Sequence, residues 1–415
     1  MDVGVIGAGI VGASIALVLV RRGHRVTLID RSDGADSAAR GNAGAFAFSD
    51  VIPIATPGIM RKAPGWLLDP EGPLTLQPAY LPQIAPWLLR FWRASRRDRY
   101  RRAVTAQTAL MNASQAALDR LLTAEGLEPL LRREGQLQLY DSERSFHASL
   151  PGWEECRRNG VRFDLIESAG ALAEHQPGLS PRFTHGAWTP DWMNVTDPAV
   201  WLDEITARAV AGGATRLRAG AQAIRPAEGG AAIATDSGEA RFDRVILAAG
   251  AWSGPLARSL GLRLPLDTER GYNTTLPPGA FDLRTHLTFS DHGFVVSRIG
   301  DNIRVGGGVE LAGLARPPRM ARAEALLRKA RAFLPGLKAD GGQQWMGFRP
   351  SMPDSLPVIG PAPGAPAVIL AFGHGHLGLT QSPGTAGIVA DLVEGAAPAI
   401  DITPFRPTRF AGASA

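Results

Sequence analysis

The sequence predicts an α/β fold, α+β over the whole chain, in which a dinucleotide-binding domain is interleaved with a second domain built on an antiparallel sheet. Three observations predict it. The first thirty residues form a strand, a Gly-rich turn, a helix and a second strand. Apolar strands ending in small residues return near positions 245 and 369. The long segments between them carry short alternating runs, the period of half-buried strands.

The opening unit justifies the nucleotide reading. Val3-Gly4-Val5-Ile6 is a short apolar run that reads as a buried strand, and Gly7-Ala8-Gly9-Ile10-Val11-Gly12 follows it. An apolar helix runs through Ala16, Leu17, Leu19 and Val20, and Arg25-Val26-Thr27-Leu28-Ile29-Asp30 is a second strand ending in an acid. A GxGxxG turn alone is a weak signal. Strand before, helix after and a carboxylate about twenty residues on make it specific. Gly7 permits the tight turn, Gly9 lets backbone approach a pyrophosphate, and Gly12 lets the helix pack on the strand. The helix N-terminus offers amides and partial positive charge to phosphate, and Asp30 can accept from ribose hydroxyls.

Downstream, Ser37 to Ala45 is small, polar and flexible, suited to lie against a flat ligand. Residues 52–86 hold Pro53, Pro57, Pro64, Pro70, Pro73, Pro78, Pro82 and Pro86, which predicts an irregular excursion with short helices. A helix is expected over 105–124, a strand over 135–140, a helix over 143–159 and a strand over 162–166. Asp197 suits an N-cap and Pro198 a first turn, so a helix runs to about Ala211. Short strands follow at 215–218, 231–235, 241–242 and 245–250. A second excursion, 265–347, carries strands near 287–289, 293–298 and 302–306 and a helix over 320–333. The chain closes on a strand at 367–371, a Gly-rich turn at 373–378 and a helix over 383–393. Residues 1–50, 190–264 and 345–415 are thus expected to form the nucleotide domain, and 51–189 with 265–344 the second.

Composition excludes several function classes. The 415 residues exceed one ordinary core, and 45% hydrophobic content supplies two. Cys156 is the single cysteine, so neither an intramolecular disulfide nor a Cys-based metal site is expected, and a reducing, cytoplasmic setting is. The first strand starts at the third residue, which argues against a signal peptide, and no run of roughly eighteen apolar residues predicts a membrane span. The net charge of +5 is small and scattered, so no nucleic-acid partner is expected.

The ordered motifs resemble the D-amino-acid oxidase and dehydrogenase superfamily of FAD proteins, with their glutathione-reductase-like two-domain arrangement, and in particular its bacterial D-amino-acid dehydrogenase branch. They are Gly7–Gly12 with Asp30, Gly41-Asn42-Ala43-Gly44, Ala248-Ala249-Gly250-Ala251-Trp252-Ser253, Arg270-Gly271-Tyr272, Arg304-Val305-Gly306-Gly307, Gly347-Phe348-Arg349-Pro350-Ser351-Met352-Pro353-Asp354 and Gly373-His374-Gly375-His376-Leu377-Gly378-Leu379-Thr380. The resemblance implies FAD held by Gly7, Gly9, Ile10, Gly12, Asp30, Arg31, Asn42, Ala43, Gly44, Gln222, Ala249, Gly250 and Trp252. It adds the closing turn: Gly375, His376, Leu377, Gly378, Leu379 and Thr380. Two positions depart from it, Asp30 for the family's Glu and Gln222 for its Val. No suitably placed Cys or His precedes Gly41, so the FAD is expected to be non-covalent.

The resemblance also assigns chemistry. Arg349 is the expected clamp on a substrate carboxylate, because a planar guanidinium grips it bidentately. Tyr272 is expected to add a hydroxyl to the same group. His374 is the candidate for proton work, with His292 and His376 beside it. The closing turn precedes a helix, so its amides can stabilise negative charge on a reduced flavin. The implied reaction is oxidation of a D-amino acid, with D-proline or a hydroxylated D-proline as a specific option, by hydride transfer to flavin. A glycine- or sarcosine-type oxidase on the same fold is the alternative, and a non-catalytic dinucleotide-binding module is the alternative of a different class. Oxygen, a membrane quinone and an electron-transfer protein all stand open as acceptors. Tyr80, Trp87, Leu88, Leu89, Phe91 and Trp92, followed by six arginines from Arg93 to Arg102, read either as a core helix with a solvated basic end or as a peripheral contact on the inner face of the cell membrane.

Overall fold

The computed structural model describes residues 1–410 apart from Asp33 and Pro70; Pro70, named above in the proline-rich excursion, thus lies outside the described residues. The strands form two unlike large sheets. The first has the order Thr215–Arg218, Arg25–Asp30, Asp2–Ile6, Arg244–Leu247, Ala365–Phe372 and Val358–Ala362. Its first five strands are parallel, and the last pairs antiparallel. Such strands are buried on both sides and read as continuous apolar runs. One side carries the helices Ile10–Arg21, Pro198–Ala211 and Gly378–Glu394, and the other the small sheet of Ala221–Ala227, Gly230–Thr235 and Gly238–Phe242.

The second sheet carries the order Gln343–Ser351, Asp267–Leu276, Asn302–Leu311, Phe294–Ile299, His286–Phe289, Gln136–Tyr140, His185–Thr189 and Asp164–Ile166. It is antiparallel except where Gln136–Tyr140 runs parallel to His286–Phe289 and Leu74–Leu76 runs parallel to Asn302–Leu311. Leu137, Leu287, Val296 and Val305 stand side by side across four strands, and they bury one face against the helix Ala321–Phe333.

Several elements differ from expectation. The expected boundary at 345 falls inside the Gln343–Ser351 strand, which pairs along its whole length with Asp267–Thr275, so the large sheet extends to Ser351. The helix expected at 105–124 begins earlier and spans Arg97–Glu125. The closing helix starts at Gly378, five residues before Pro383. A proline inside a helix leaves a carbonyl without its amide. Here the Ser382 hydroxyl donates to the Leu379 carbonyl at 2.9 Å and fills that gap. Asp197 caps its helix as expected, accepting from the Ala199 amide at 2.7 Å.

Candidate active site

A cavity of about 780 Å³ lies between the two sheets, in the size range of cofactor sites. The opening turn forms one end. Gly7 has φ +107°, and a Cβ there would meet the Ala248 carbonyl at 2.4 Å. A Cβ on Gly12 would come within 1.8 Å of the Gly7 carbonyl. Gly9 is the N-cap of the Ile10–Arg21 helix, with no side-chain cap. Its virtual Cβ meets only Ser37 Oγ at 3.1 Å, so bareness at Gly9 serves the cavity side rather than internal packing. Helix geometry leaves the first-turn amides without intrahelical partners, and Gly9, Ile10 and Val11 line the cavity.

Asp30 organises this end. Its carboxylate accepts from the amides of Ala8 (2.9 Å), Ser32 (2.8 Å) and Gly34 (3.1 Å) and from the Ser32 hydroxyl. Burial alone would raise its pKa; these donors outweigh burial and lower it. The shorter acid therefore braces its own loop and keeps little free acceptor capacity for a ribose. Arg31 stacks on the Trp252 ring at 4.4 Å, and Trp252 contacts Phe348 edge-on at 5.6 Å. Ala249, Gly250 and Gln222 line the same region.

The loop at 41–44 is held by residues that sequence reasoning missed. The Asn42 carboxamide accepts from the Gly44 amide at 2.6 Å and donates to the Ala39 carbonyl at 2.8 Å, closing a turn on itself. Asn273 donates to the Gly41 carbonyl at 2.8 Å, Arg304 to that of Asn42 at 2.6 Å, and Asn194 to that of Ala43 at 3.2 Å. All three donors come from outside the opening unit, far along the chain.

The closing turn is tied to the strand that carries Arg349. The Gly375 amide donates to the Pro350 carbonyl at 2.7 Å, and His374 bridges Ser351. The Gly378–Glu394 helix then begins at the cavity, where His376, Leu377, Gly378, Leu379 and Thr380 form the wall and helix geometry leaves the first-turn amides without intrahelical partners. The Thr380 hydroxyl is a strut: it accepts from the Ala47 amide at 3.0 Å and donates to the Ala45 carbonyl at 3.2 Å.

Arg349 lies flat across the sheet. A Cβ on Gly271 would sit 2.3 Å from its Nη2, and its Nη1 donates to the Gly308 carbonyl at 2.8 Å. Glu269 pairs with it in register on the adjacent strand. Burial disfavours both charges, lowering the Arg349 pKa and raising that of Glu269, while each charge favours the other. An arginine so placed keeps its proton.

Other expected groups are committed elsewhere. The Tyr272 hydroxyl donates to the fully buried Glu310 at 2.5 Å and accepts from the Arg319 amide at 3.1 Å, so it is not free to grip a carboxylate. His374 is buried with Nε2 against Thr385 Oγ1 at 3.0 Å, and burial pushes its pKa down to about 3. That ring is a neutral hydrogen-bonding group at neutral pH, not a proton carrier. His292 pairs with Asp141 at 2.6 Å and packs on Phe333, on the apolar side of the sheet and away from the cavity. His376 does face the cavity and is exposed to it; the surrounding wall, then the Arg349 charge, disfavours its protonated form. Asp50, which drew no attention in the sequence, lines the cavity and is pushed up to about 7 by burial.

The residues present fit FAD. Residues of two glycine-rich helix N-termini line one cavity, and glycines occupy positions where a Cβ would fill the cradle or strike its backbone. Among the described residues, no cluster of His, Cys, Asp and Glu could hold a metal ion.

Comparison with known proteins agrees. Residues 2–392 match the family described as FAD dependent oxidoreductase. The D-amino-acid oxidase of Bradyrhizobium diazoefficiens is 36% identical over 419 residues, covering 98% of both chains. The D-amino acid dehydrogenase of Vibrio cholerae is 32% identical over 403 residues, covering 95% of both. Among solved structures, glycine oxidase from Geobacillus kaustophilus superposes with a TM-score of 0.77 at 23% identity over 98% of each chain, a likeness of fold. The chain belongs to the family of FAD dependent oxidoreductases.

Proposed function

We propose that the chain is an FAD-dependent dehydrogenase that oxidises the Cα–N bond of D-amino acids, D-proline and a hydroxylated D-proline included, to the imine. Water then gives the 2-oxo acid when the imine is acyclic. The observation that carries the reading is Arg349, a guanidinium in the cavity wall, joined through Pro350 and Gly375 to the turn that precedes the closing helix. Bound between the two helix N-termini, FAD supplies the hydride acceptor. Arg349 fixes the substrate carboxylate and thereby the direction of the Cα–H bond. The closing-helix amides supply donors where negative charge accumulates. Relatives named D-amino-acid oxidase and D-amino acid dehydrogenase, similar along nearly the whole chain, support the same reading.

Non-covalent FAD is supported by His374 being bonded to Thr385 and Cys156 being buried in the core around the nucleotide sheet. Peripheral membrane contact is supported by the helix Leu81–Ala94, which exposes Leu81, Leu89 and Trp92 beside a run of arginines. Among the described residues, no helix is long and apolar enough to cross a membrane.

Anaerobic mixing of the purified yellow protein with D- and L-amino acids tests the reading. D-enantiomers should bleach the flavin absorbance and L-enantiomers should not. Bleaching by glycine and sarcosine alone would favour the oxidase alternative, and a colourless protein would leave only the dinucleotide-binding module.

A further inference from the structure

Resting on the D-amino-acid reading, the geometry points to a substrate side chain that ends in an uncharged hydrogen-bonding group, a carboxamide of glutamine length, received by Thr288 and Gln138. These two residues stand in register on adjacent strands, and Thr288 is also in register with Val295. All three line the cavity, on the sheet face opposite the Leu137–Leu287–Val296 row.

Distances along the sheet set the length. The Arg349 guanidinium is bonded at Gly308, on the Asn302–Leu311 strand. Thr288 lies two strands away and Gln138 three. Neighbouring strands are about 4.8 Å apart, and Thr288 is level through Val295 with Gly306, two residues or about 6–7 Å short of Gly308, which puts Thr288 roughly 12 Å and Gln138 roughly 16 Å from the clamp. A clamped carboxylate places Cα roughly 5 Å from the guanidinium carbon. About 7 Å to Thr288 and about 11 Å to the Gln138 backbone, less the reach of the Gln138 side chain itself, is then left to the substrate side chain and its terminal hydrogen bond. A glutamine side chain reaches about 5 Å from Cα, and a hydrogen bond adds about 2.9 Å. Alanine or proline leaves the far wall untouched.

Chemistry sets the polarity. The Gln138 amide nitrogen donates to Tyr140 Oη at 2.6 Å, which leaves its carbonyl oxygen as an acceptor. Thr288 is half-buried, its hydroxyl with no hydrogen-bond partner among the described residues. Beside them His286 pairs with Gln136 in register. The Asn194 amide donates to His286 Nδ1 at 3.2 Å, so the ring proton sits on Nε2, and burial holds the ring neutral. Trp192, 5.1 Å from His286, lines the cavity with a buried Nε1–H that has no partner among the described residues. Among the described residues, Gln138, Thr288, His286 and Trp192 offer this wall both donors and acceptors without a formal charge, and Val295 adds an apolar patch. The nearby Arg304 turns the other way, onto Thr275 and the Asn42 carbonyl. A carboxamide carries both a donor and an acceptor and matches such a wall; a buried wall of this kind penalises both a charged and an apolar terminus.

Steady-state turnover of the holoenzyme with D-glutamine, D-norleucine, D-glutamate and D-lysine tests this. We expect kcat/KM for D-glutamine to exceed each of the others by at least about tenfold, and the D-glutamine to D-norleucine ratio to fall about three- to tenfold in Thr288→Val. Binding without chemistry supplies a second readout. Glutaramate, which lacks the reacting amine, should perturb tryptophan fluorescence with a lower Kd than hexanoate, and Thr288→Val should narrow that gap. Gln138→Leu is the companion variant, but it also breaks the Tyr140 bond, so Thr288→Val decides. Equal rates for D-norleucine, a preference for either charged substrate, or an unchanged ratio in Thr288→Val would overturn the inference while D-amino-acid oxidation stands. Bleaching by no D-amino acid would overturn both.

Discussion

The two faces of the large sheet come from the same strands and carry opposite chemistry. On one, Leu137, Leu287, Phe289, Val296 and Val305 close against Phe183, Phe333 and the Ala321–Phe333 helix. On the other, one residue along, stand Gln136, Gln138, His286, Thr288, Asn273 and the glycines at 271, 306 and 347. Period-two alternation makes both at once, and a one-residue slip would exchange them. The buried face supplies stability and can be uniform. The cavity face is uneven by need: glycines where a side chain or ligand lies flat, amides where loops are held, and the Arg349 guanidinium at the end where the closing turn docks.

The largest expected effect of a single change belongs to the buried face. Phe289 is fully buried and contacts Phe183, Phe294 and Phe333 with ring centroids 4.7–5.4 Å apart. Phe289→Ala should cost about 3–5 kcal/mol of stability through the cavity it opens. Denaturant titration of the holoprotein checks it, and a midpoint equal to that of the parent would show that this face tolerates loosening.

On the cavity face, truncating the central group should leave stability nearly intact and damage turnover instead. Arg349→Leu removes the carboxylate clamp. The expected loss is about 2–4 kcal/mol of binding to the reacting substrate, on the order of 30- to 1000-fold in kcat/KM, mostly in KM. The FAD absorbance per protein should stay constant. Parent-like kinetics with D-alanine would remove Arg349 from the substrate site.

What the sequence reveals divides along the same line. The opening turn is legible because its parts are contiguous: Gly7, Gly9 and Gly12 fall within six residues, between the strand and the helix, and Gly12 packs on the Gly7 carbonyl. The end of the Gly378–Glu394 helix is misread because Pro383 looks like a first turn, and only the Ser382 hydroxyl on Leu379 explains why the helix passes through it. Tyr272 announces a hydroxyl but not its partner, since Glu310 is 38 residues away and meets it only through strand pairing. Asn194, Asn273 and Arg304 are invisible as loop holders for the same reason. The far wall of the cavity is the extreme case. Gln138 and Thr288 are 150 positions apart in the chain yet adjacent in register, so their common face exists only after the sheet forms.

The smallest and sharpest test separates the presence of Arg349 from its placement. The guanidinium reaches Gly308 only because Gly271, on the strand between, has no side chain: a Cβ there would stand 2.3 Å from Nη2 and 2.5 Å from Cζ. Gly271 takes no left-handed backbone angle, so alanine fits its strand without strain. The obstructing atoms are the far end of a flexible side chain, which can lift away. Gly271→Ala should therefore leave the unfolding midpoint within about 0.5 kcal/mol of the parent. It should raise KM about tenfold, because the clamp loses its Gly308 bond and its aim. Equilibrium unfolding and steady-state kinetics on one preparation read both numbers. A large loss of stability would mean that the cavity face, too, is part of the packing, and the contrast between the two faces would fail at the position where it is drawn most finely.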